Sequence, residues 1–376
     1  MSAPKGHATR GAALEHQQLL ASARKEFSDG APLPDDLLAQ PLQRSWERLR
    51  AAGMQQHETP LQLPRVARPP QPEGHADRRL ARCAQHDMDQ LWSAFGGRQW
   101  LMYCINTQGV IVAQREHGLT DSPLLRTIQV GRQLRESHLG TNAPTCALSE
   151  DTPILVRGNE HYLDHFTPMF CLSVPLHGLD GEVAGALNVT GLGERDPDYL
   201  LDYFRQGALS IENRLLQECR PCHLLALQHD ARWLNTPFQG LLAIEENGRI
   251  RAANRVARRL LGLPRRGPLP EVTLEEVFAA ANVHQRRRLL QAGPARRVRF
   301  SEDSALQVQY LRAPVTRRGS VAIPAAARDA VKGSLRAQGI QAVRDAVDSY
   351  RGNVSAAARK LGISRTTLYR KLQQGD

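Results

Sequence analysis

Lysine is scarce in this chain. Lys5, Lys25, Lys332, Lys360 and Lys371 stand among 49 Lys and Arg, so the cationic charge is almost wholly arginine. None of the five is followed by Ser or Thr. A phosphate-binding P-loop needs Gly-Lys and then a hydroxyl to hold magnesium, so this sequence contains no such nucleotide cradle. Aromatic residues make up only 5% of it. No apolar run approaches the roughly 18 residues that cross a bilayer, so no membrane association is expected. The first ten residues lack an apolar core, so no secretory signal is expected there and the expected location is cytoplasmic. The six cysteines are then expected as reduced thiols rather than as a disulfide framework.

What the chain does have is length, apolar residues and positive charge. Its 376 residues suit two or three domains, and 41% hydrophobic content suffices for packed cores. A net charge of +11 favours an anionic partner. From Ala330 onward nine Lys or Arg stand against three Asp, a local excess of the kind that draws a protein to phosphate backbones.

That basic end has the punctuation of a helix-turn-helix. Ile340, Val343, Val347 and Tyr350 recur at helical spacing. Gly352 can end that helix in the left-handed conformation, and Asn353 can cap the next. Ala356, Ala357 and Ala358 are small enough for close helix crossing. Gly362 ends the second helix and Ser364 caps a third. In the third, Leu368 and Leu372 lie four apart and face inward with Ile363. Arg365, Thr366, Tyr369, Arg370 and Gln373 point outward, with Thr367 and Lys371 at the edges. Arg can donate two bonds to guanine and Thr can touch a thymine methyl, so this face suits a major-groove reader. Arg359, on the preceding helix, is expected to contact phosphate.

The run from Asn353 to Leu372 resembles the Fis-type helix-turn-helix that commonly ends bacterial enhancer-binding activators. The resemblance implies binding of double-stranded DNA as a dimer, with contacts at Ser364, Arg365, Thr367 and Arg370. A two-fold dimer implies a near-palindromic operator.

Upstream, the expected fold class is multidomain α+β. Residues 1–75 read as a helical leader, with a helix over 37–54 carrying Leu38, Leu42, Trp46 and Leu49 on one stripe, then a linker with five prolines between Pro60 and Pro72. Residues 76–220 read as one α/β domain with helices over 77–95 and 198–218. Hairpins are expected at 100–114 and 170–190, the second turning at an Asp-Gly pair. Residues 221–316 read as a smaller α+β domain, 317–336 as a linker and 337–376 as the all-α DNA-binding module.

Leu139-Gly140-Thr141-Asn142-Ala143, Gly158-Asn159-Glu160-His161-Tyr162 and Ser173-Val174-Pro175-Leu176 resemble the GAF-type input domain of activators similar to the acetoin-catabolism regulator. Ser45-Trp46-Glu47-Arg48 matches the same family's usual N-terminus. Pro237 to Leu263 resembles the PAS-like segment that often follows. The resemblance implies a pocket between sheet and helices for a small-molecule effector, with Asn142, Cys146, His161, Phe170 and Cys171 as candidate lining. Two departures stand out. Pro144-Thr145-Cys146 replaces the family's usual Gly-Thr pair, which alters one wall. The relatives also place an ATPase that acts on sigma-54 polymerase before the helix-turn-helix, where this chain has only a short connection. No ATP hydrolysis is expected, and no sigma-54 promoter opening by this chain alone.

Other motifs carry weaker chemistry. Cys219-Arg220-Pro221-Cys222-His223 matches the c-type haem attachment pattern, and a thiol or metal use is the alternative. Cys104, Cys146 and Cys171 could serve a thiol-dependent GAF-fold enzyme or redox sensor if their pKa values were low. The plainer expectation for all of them is small buried hydrophobes. His161 and His165 lie four apart and could meet a metal only on a shared helix. Arg286-Arg287-Arg288 and Arg296-Arg297 suit either a solvated face or non-specific DNA attraction. The reading is therefore a homodimeric, non-enzymatic transcription regulator without metal or cofactor, with RNA polymerase or a full-length relative as further partners. A thiol-dependent enzyme and an architectural DNA-binding protein are the alternatives.

Overall fold

The computed structural model describes residues 10–65, 73–97, 99–116, 122–192 and 197–315, with positions 347, 354 and 358 beyond them. By their contacts, residues 1–315 form one compact unit and 316–376 another.

The larger unit begins with α1 (Arg10–Ser28), α2 (Gln40–Ala51) and α3 (Glu73–Phe95). Then come β1 (Trp100–Asn106), β2 (Ile111–Glu116) and three short helices, α4 (Pro123–Arg126), α5 (Glu136–Leu139) and α6 (Ala143–Glu150). Strands β3 (Ile154–Arg157), β4 (Met169–His177) and β5 (Val183–Leu192) complete an antiparallel sheet in the order β2-β1-β5-β4-β3. The helix α7 (Pro197–Gln217) packs with α3 on one face, burying Leu80, Met88, Met102, Leu172, Leu187, Val189, Phe204 and Ile211. Gly185 is required on β5 because a Cβ there would meet the Ile105 carbonyl oxygen at 2.2 Å.

The second sheet follows directly. Strands β6 (His223–Gln228), β7 (Gly240–Ile244) and β8 (Ile250–Ala253) precede α8 (Arg255–Leu260), α9 (Leu274–Val277) and α10 (Val283–Arg287). Strands β9 (Arg296–Arg299) and β10 (Ala305–Arg312) close it in the order β8-β7-β6-β10-β9. One face packs on the short helices through Leu225, Leu242, Ile244, Ala257 and Phe278. The other buries Leu224, Ala226, Leu241 and Ala243 against Leu216, Cys219 and Cys222 at the end of α7. Helix α7 thus serves both sheets.

The leader is part of this core. Leu20 and Phe27 of α1, with Leu42, Trp46 and Leu49 of α2, cluster with Ala143, Cys146, Ile154, Tyr162 and Cys171. Trp46 is fully buried and its Nε1 donates to the Glu160 carbonyl at 3.0 Å. The proline-containing stretch is tied down where it is described: Leu63 is buried, and the Pro64 carbonyl accepts from the Gln133 amide. Apolar stripes on a short leader need a partner surface, and the domain supplies it.

Sidedness matters at the joint between the sheets. Asn213 of α7 donates to the Pro237 carbonyl at 3.1 Å and accepts from Asn254 at 2.6 Å. Asn254 also caps α8 by accepting from the Ala257 amide. Glu212, one residue earlier, takes a bidentate Arg255 guanidinium and the backbone amide of His177. Among the described residues no helix is long and apolar enough to cross a membrane.

Candidate functional site

In a strand, alternate side chains share a face, and cross-strand partners point the same way. Helices α3 and α7 cover the face that carries Met102, Cys104, Leu172 and Leu187. The opposite face therefore carries two cross-strand rows. Tyr103, Asn188, Ser173 and Ile154 form one by register, and Leu101, Thr190, Cys171 and Val156 the other. This second face lies under α6, α5 and the leader, through Leu101, Tyr103, Ile105, Ala143, Cys146 and Cys171.

The centre of that face is polar although it is fully buried. Asn188 Nδ2 donates to the carbonyls of Tyr103 and Ala186, and its Oδ1 has no partner. Ser173 Oγ, its neighbour across the register, also has none. Thr190 Oγ1 donates to the Phe170 carbonyl and lies 2.6 Å from Cys171 Sγ. Ser173, Asn188 and Thr190 are all at 0% exposure. Leaving buried hydroxyl and amide groups unpaired costs about 1–3 kcal/mol each. Such groups on a buried sheet face are positions where a ligand's polar atoms would compensate.

The edge of this face is built by the leader. Ser45 hydrogen-bonds Glu136 and Thr141, and Arg48 grips Glu136 with two bonds of 2.9 Å. Asn142 caps α6 through the Thr145 amide and donates to the Gly140 carbonyl. Pro144 occupies the first turn, where no amide donor is needed.

The five residues expected around the pocket divide. Cys146 and Cys171 fall in one buried cluster with Trp46 and Tyr162, and Asn142 stands at its edge as the cap of α6. Phe170 packs edge-on against Trp100 in the core under α3 and α7, on the other side of the sheet. His161 lies against the leader: the Arg24 guanidinium donates to its carbonyl at 2.7 Å. Its Nδ1 donates to the Gly158 carbonyl and Nε2 has no partner. Burial, with Arg24 close by, pushes its pKa down to about 4 against the Gly158 hydrogen bond, so the ring is neutral at ordinary pH. His165 is exposed and shares no helix with His161. Ser173 stood in the sequence only as part of a family motif, and neither it nor Asn188 nor Thr190 was expected to line the pocket. The available signal was polar residues at alternate positions of otherwise apolar strands.

All six thiols are buried, and Cys83, Cys104, Cys146, Cys171 and Cys222 are held protonated. Burial, helped by Glu218, pushes Cys83 up to about 11. Burial and then Glu136 push Cys146 to about 12, and burial takes Cys171 to about 11. Cys222 rises to about 12 through burial and its 3.4 Å contact with Cys219, and burial raises Cys104 as well. His223 of the same motif opens β6 and pairs with the Tyr310 hydroxyl at 2.9 Å. Thiolate is the reactive form. Native protein at pH 7.5 is therefore expected to react with an aromatic disulfide reagent at least about a hundredfold slower than denatured protein. A native thiol that titrates within seconds would contradict this arrangement.

The basic clusters of the second sheet serve local structure in part. Arg286 caps the Ala279 and Ala281 carbonyls, and Arg296 caps those of Arg288, Gln291 and Ala292. Among the described residues no group of three His, Cys, Asp or Glu is placed to hold a metal ion.

The residues expected to face DNA, Asn353, Arg359, Ser364, Arg365, Thr366, Thr367, Tyr369, Arg370 and Lys371, lie outside the described residues. Within residues 337–376, Val347, Val354 and Ala358 are helical and Ala358 is buried.

Residues 79–218 match the GAF domain family and residues 341–375 match the family described as bacterial regulatory protein, Fis family. The chain thus carries a GAF domain and a Fis-type helix-turn-helix in a multidomain α+β architecture. It is homologous to regulators of the acetoin-catabolism type. It is 26% identical over 257 residues to the acetoin catabolism regulatory protein of Cupriavidus necator, covering 66% of this chain and 38% of that one. It is 24% identical to the acetoin dehydrogenase operon transcriptional activator AcoR of Bacillus subtilis, covering 44% and 28%. The chain therefore spans well under half the length of these relatives. Among solved structures it resembles the E. coli DhaR(N)–DhaL complex at 14% identity and TM-score 0.43, covering 73% of this chain and all of that one.

Proposed function

We propose that this chain is a transcription regulator that binds double-stranded DNA through its Fis-type module and senses a small molecule in its GAF domain. The pairing of these two family matches in one chain is the observation that carries the reading. The named relatives are regulators of transcription and support it. A homodimer on a near-palindromic operator is the geometry that such a module requires.

The effector site is the sheet face of Ser173, Asn188 and Thr190. Those groups are uncharged, so the ligand class they favour is a small neutral molecule that both donates and accepts a hydrogen bond. The protonated thiols weigh against a thiol-dependent enzyme. The absence of a P-loop in this sequence supports action without ATP hydrolysis, by occlusion, through RNA polymerase, or by modulating a full-length relative.

Arg365→Ala tests the recognition helix. It should weaken binding to the preferred site by about 1–3 kcal/mol and relax specificity at one base position. Unchanged affinity and specificity in a fluorescence-anisotropy titration would remove Arg365 from the reading face.

A further inference from the structure

A cleft of about 280 Å³ opens where the GAF sheet meets the second sheet. That volume lies near the lower end of the ~300–1,000 Å³ usual for small-molecule sites. It is separate from the Ser173–Asn188 face. One wall comes from Asp151, His177 and the β4–β5 turn, and the other from α8 and the loop after it. Leu179 and Leu216 supply apolar surface.

The charges in this cleft do not balance. Five arginines line it, at positions 255, 258, 259, 265 and 266, against the carboxylates Asp151 and Glu212. Glu212 is committed to His177 and Arg255. Asp151 is committed to His177 Nε2 at 2.7 Å and Arg266 at 2.7 Å. Among the described residues Arg258, Arg259 and Arg265 form no salt bridge, although Asp180 and Glu182 of the β4–β5 turn lie close enough to act on the Arg258 charge. Arg259 and Arg265 are exposed, but Arg258 is only 1% exposed. Its Nε and Nη1 donate to the carbonyls of Ala253, Pro264 and Gly267, while Nη2 has no partner. Gly181 makes room for this guanidinium, since a Cβ there would meet its central carbon at 2.6 Å. A buried cation with an unfilled donor is costly unless an anion compensates it.

We propose that this cleft binds a small organic anion. Its carboxylate or phosphate head lies against Arg258, Arg259 and Arg265, and its body lies on Leu179 and Leu216. Because the walls come from both sheets, the anion holds the two modules in one arrangement.

The test is thermal unfolding of the full-length protein in inorganic phosphate and in succinate, against sodium chloride at equal ionic strength. The expected result is a saturable rise in melting temperature with at least one of the two anions and none with chloride. The double variant Arg259→Glu/Arg265→Glu changes only exposed side chains and should weaken the response at least about tenfold, in line with the loss of charged hydrogen bonds. The control Arg287→Glu/Arg299→Glu, also exposed, should leave it intact. A response to phosphate alone assigns a phosphate monoester, to succinate alone a carboxylate, and to both a general anion site. No response, an equal response to chloride, or a response untouched by the double variant overturns the proposal.

Discussion

Glu212→Ala should destabilise the larger unit by about 3–5 kcal/mol, the usual consequence of removing one partner from a buried ion pair. Glu212 is 3% exposed and accepts from the His177 amide, the His177 ring and Arg255. Burial opposes its charge, yet the His177 hydrogen bond and the Arg255 guanidinium outweigh this and hold the carboxyl below its usual range. Without it, the half-buried Arg255 is left beside His177 with Asp151 as its remaining carboxylate neighbour. Denaturant unfolding checks the loss, and a change under about 1 kcal/mol, the scale of an exposed pair, would place Glu212 outside the joint's energetics.

The same network sets a pH dependence. Burial favours the neutral His177 ring, but the Glu212 hydrogen bond and charge, with Asp151 beyond, raise its pKa despite Arg255. A raised folded-state pKa stabilises the protein fully below the unfolded value of about 6.5 and ceases to do so as pH rises through the folded value. The advantage of wild type over His177→Asn in melting temperature should therefore shrink from pH 6 to pH 9. An advantage that grows over that interval would reverse the assigned sign.

Trp46→Ala should cost about 3–5 kcal/mol, as for a large buried aromatic truncated to a methyl group. Trp46 joins Phe27 and Tyr162 at ring separations of 5.9 and 5.8 Å and supplies a hydrogen bond to Glu160. The leader should then come away from α6, because α2 holds the site's edge through Ser45 and Arg48. Faster proteolysis within residues 10–51 would accompany the loss of stability. A variant as stable and protease-resistant as wild type would show that the leader does not depend on this anchor.

The strands of the GAF sheet were legible because their apolar runs end at clear turns. The hairpin expected at 100–114 falls on β1 and β2, and the hairpin at Asp180-Gly181 joins β4 to β5. Strand β6 was hidden because Cys219 to His223 drew a chemical reading, whereas those cysteines pack beneath a sheet. Strand β3 was hidden because four residues carry too little alternation to register. The candidate site was legible in part. Family motifs pointed to Asn142 and the α6 region, while Phe170 lies on the α3/α7 face, opposite Cys171, because register, which decides sidedness, is a property of the paired sheet. Asn188 and Ser173 emerge as a pair only once β4 and β5 lie side by side in register.

Selection of bound DNA from a random pool by the purified full-length protein, at physiological salt, tests the central claim most directly. The account expects an inverted repeat whose half-sites lie about one helical turn apart. Binding without any recovered motif would contradict a sequence-specific dimeric regulator and favour an architectural role.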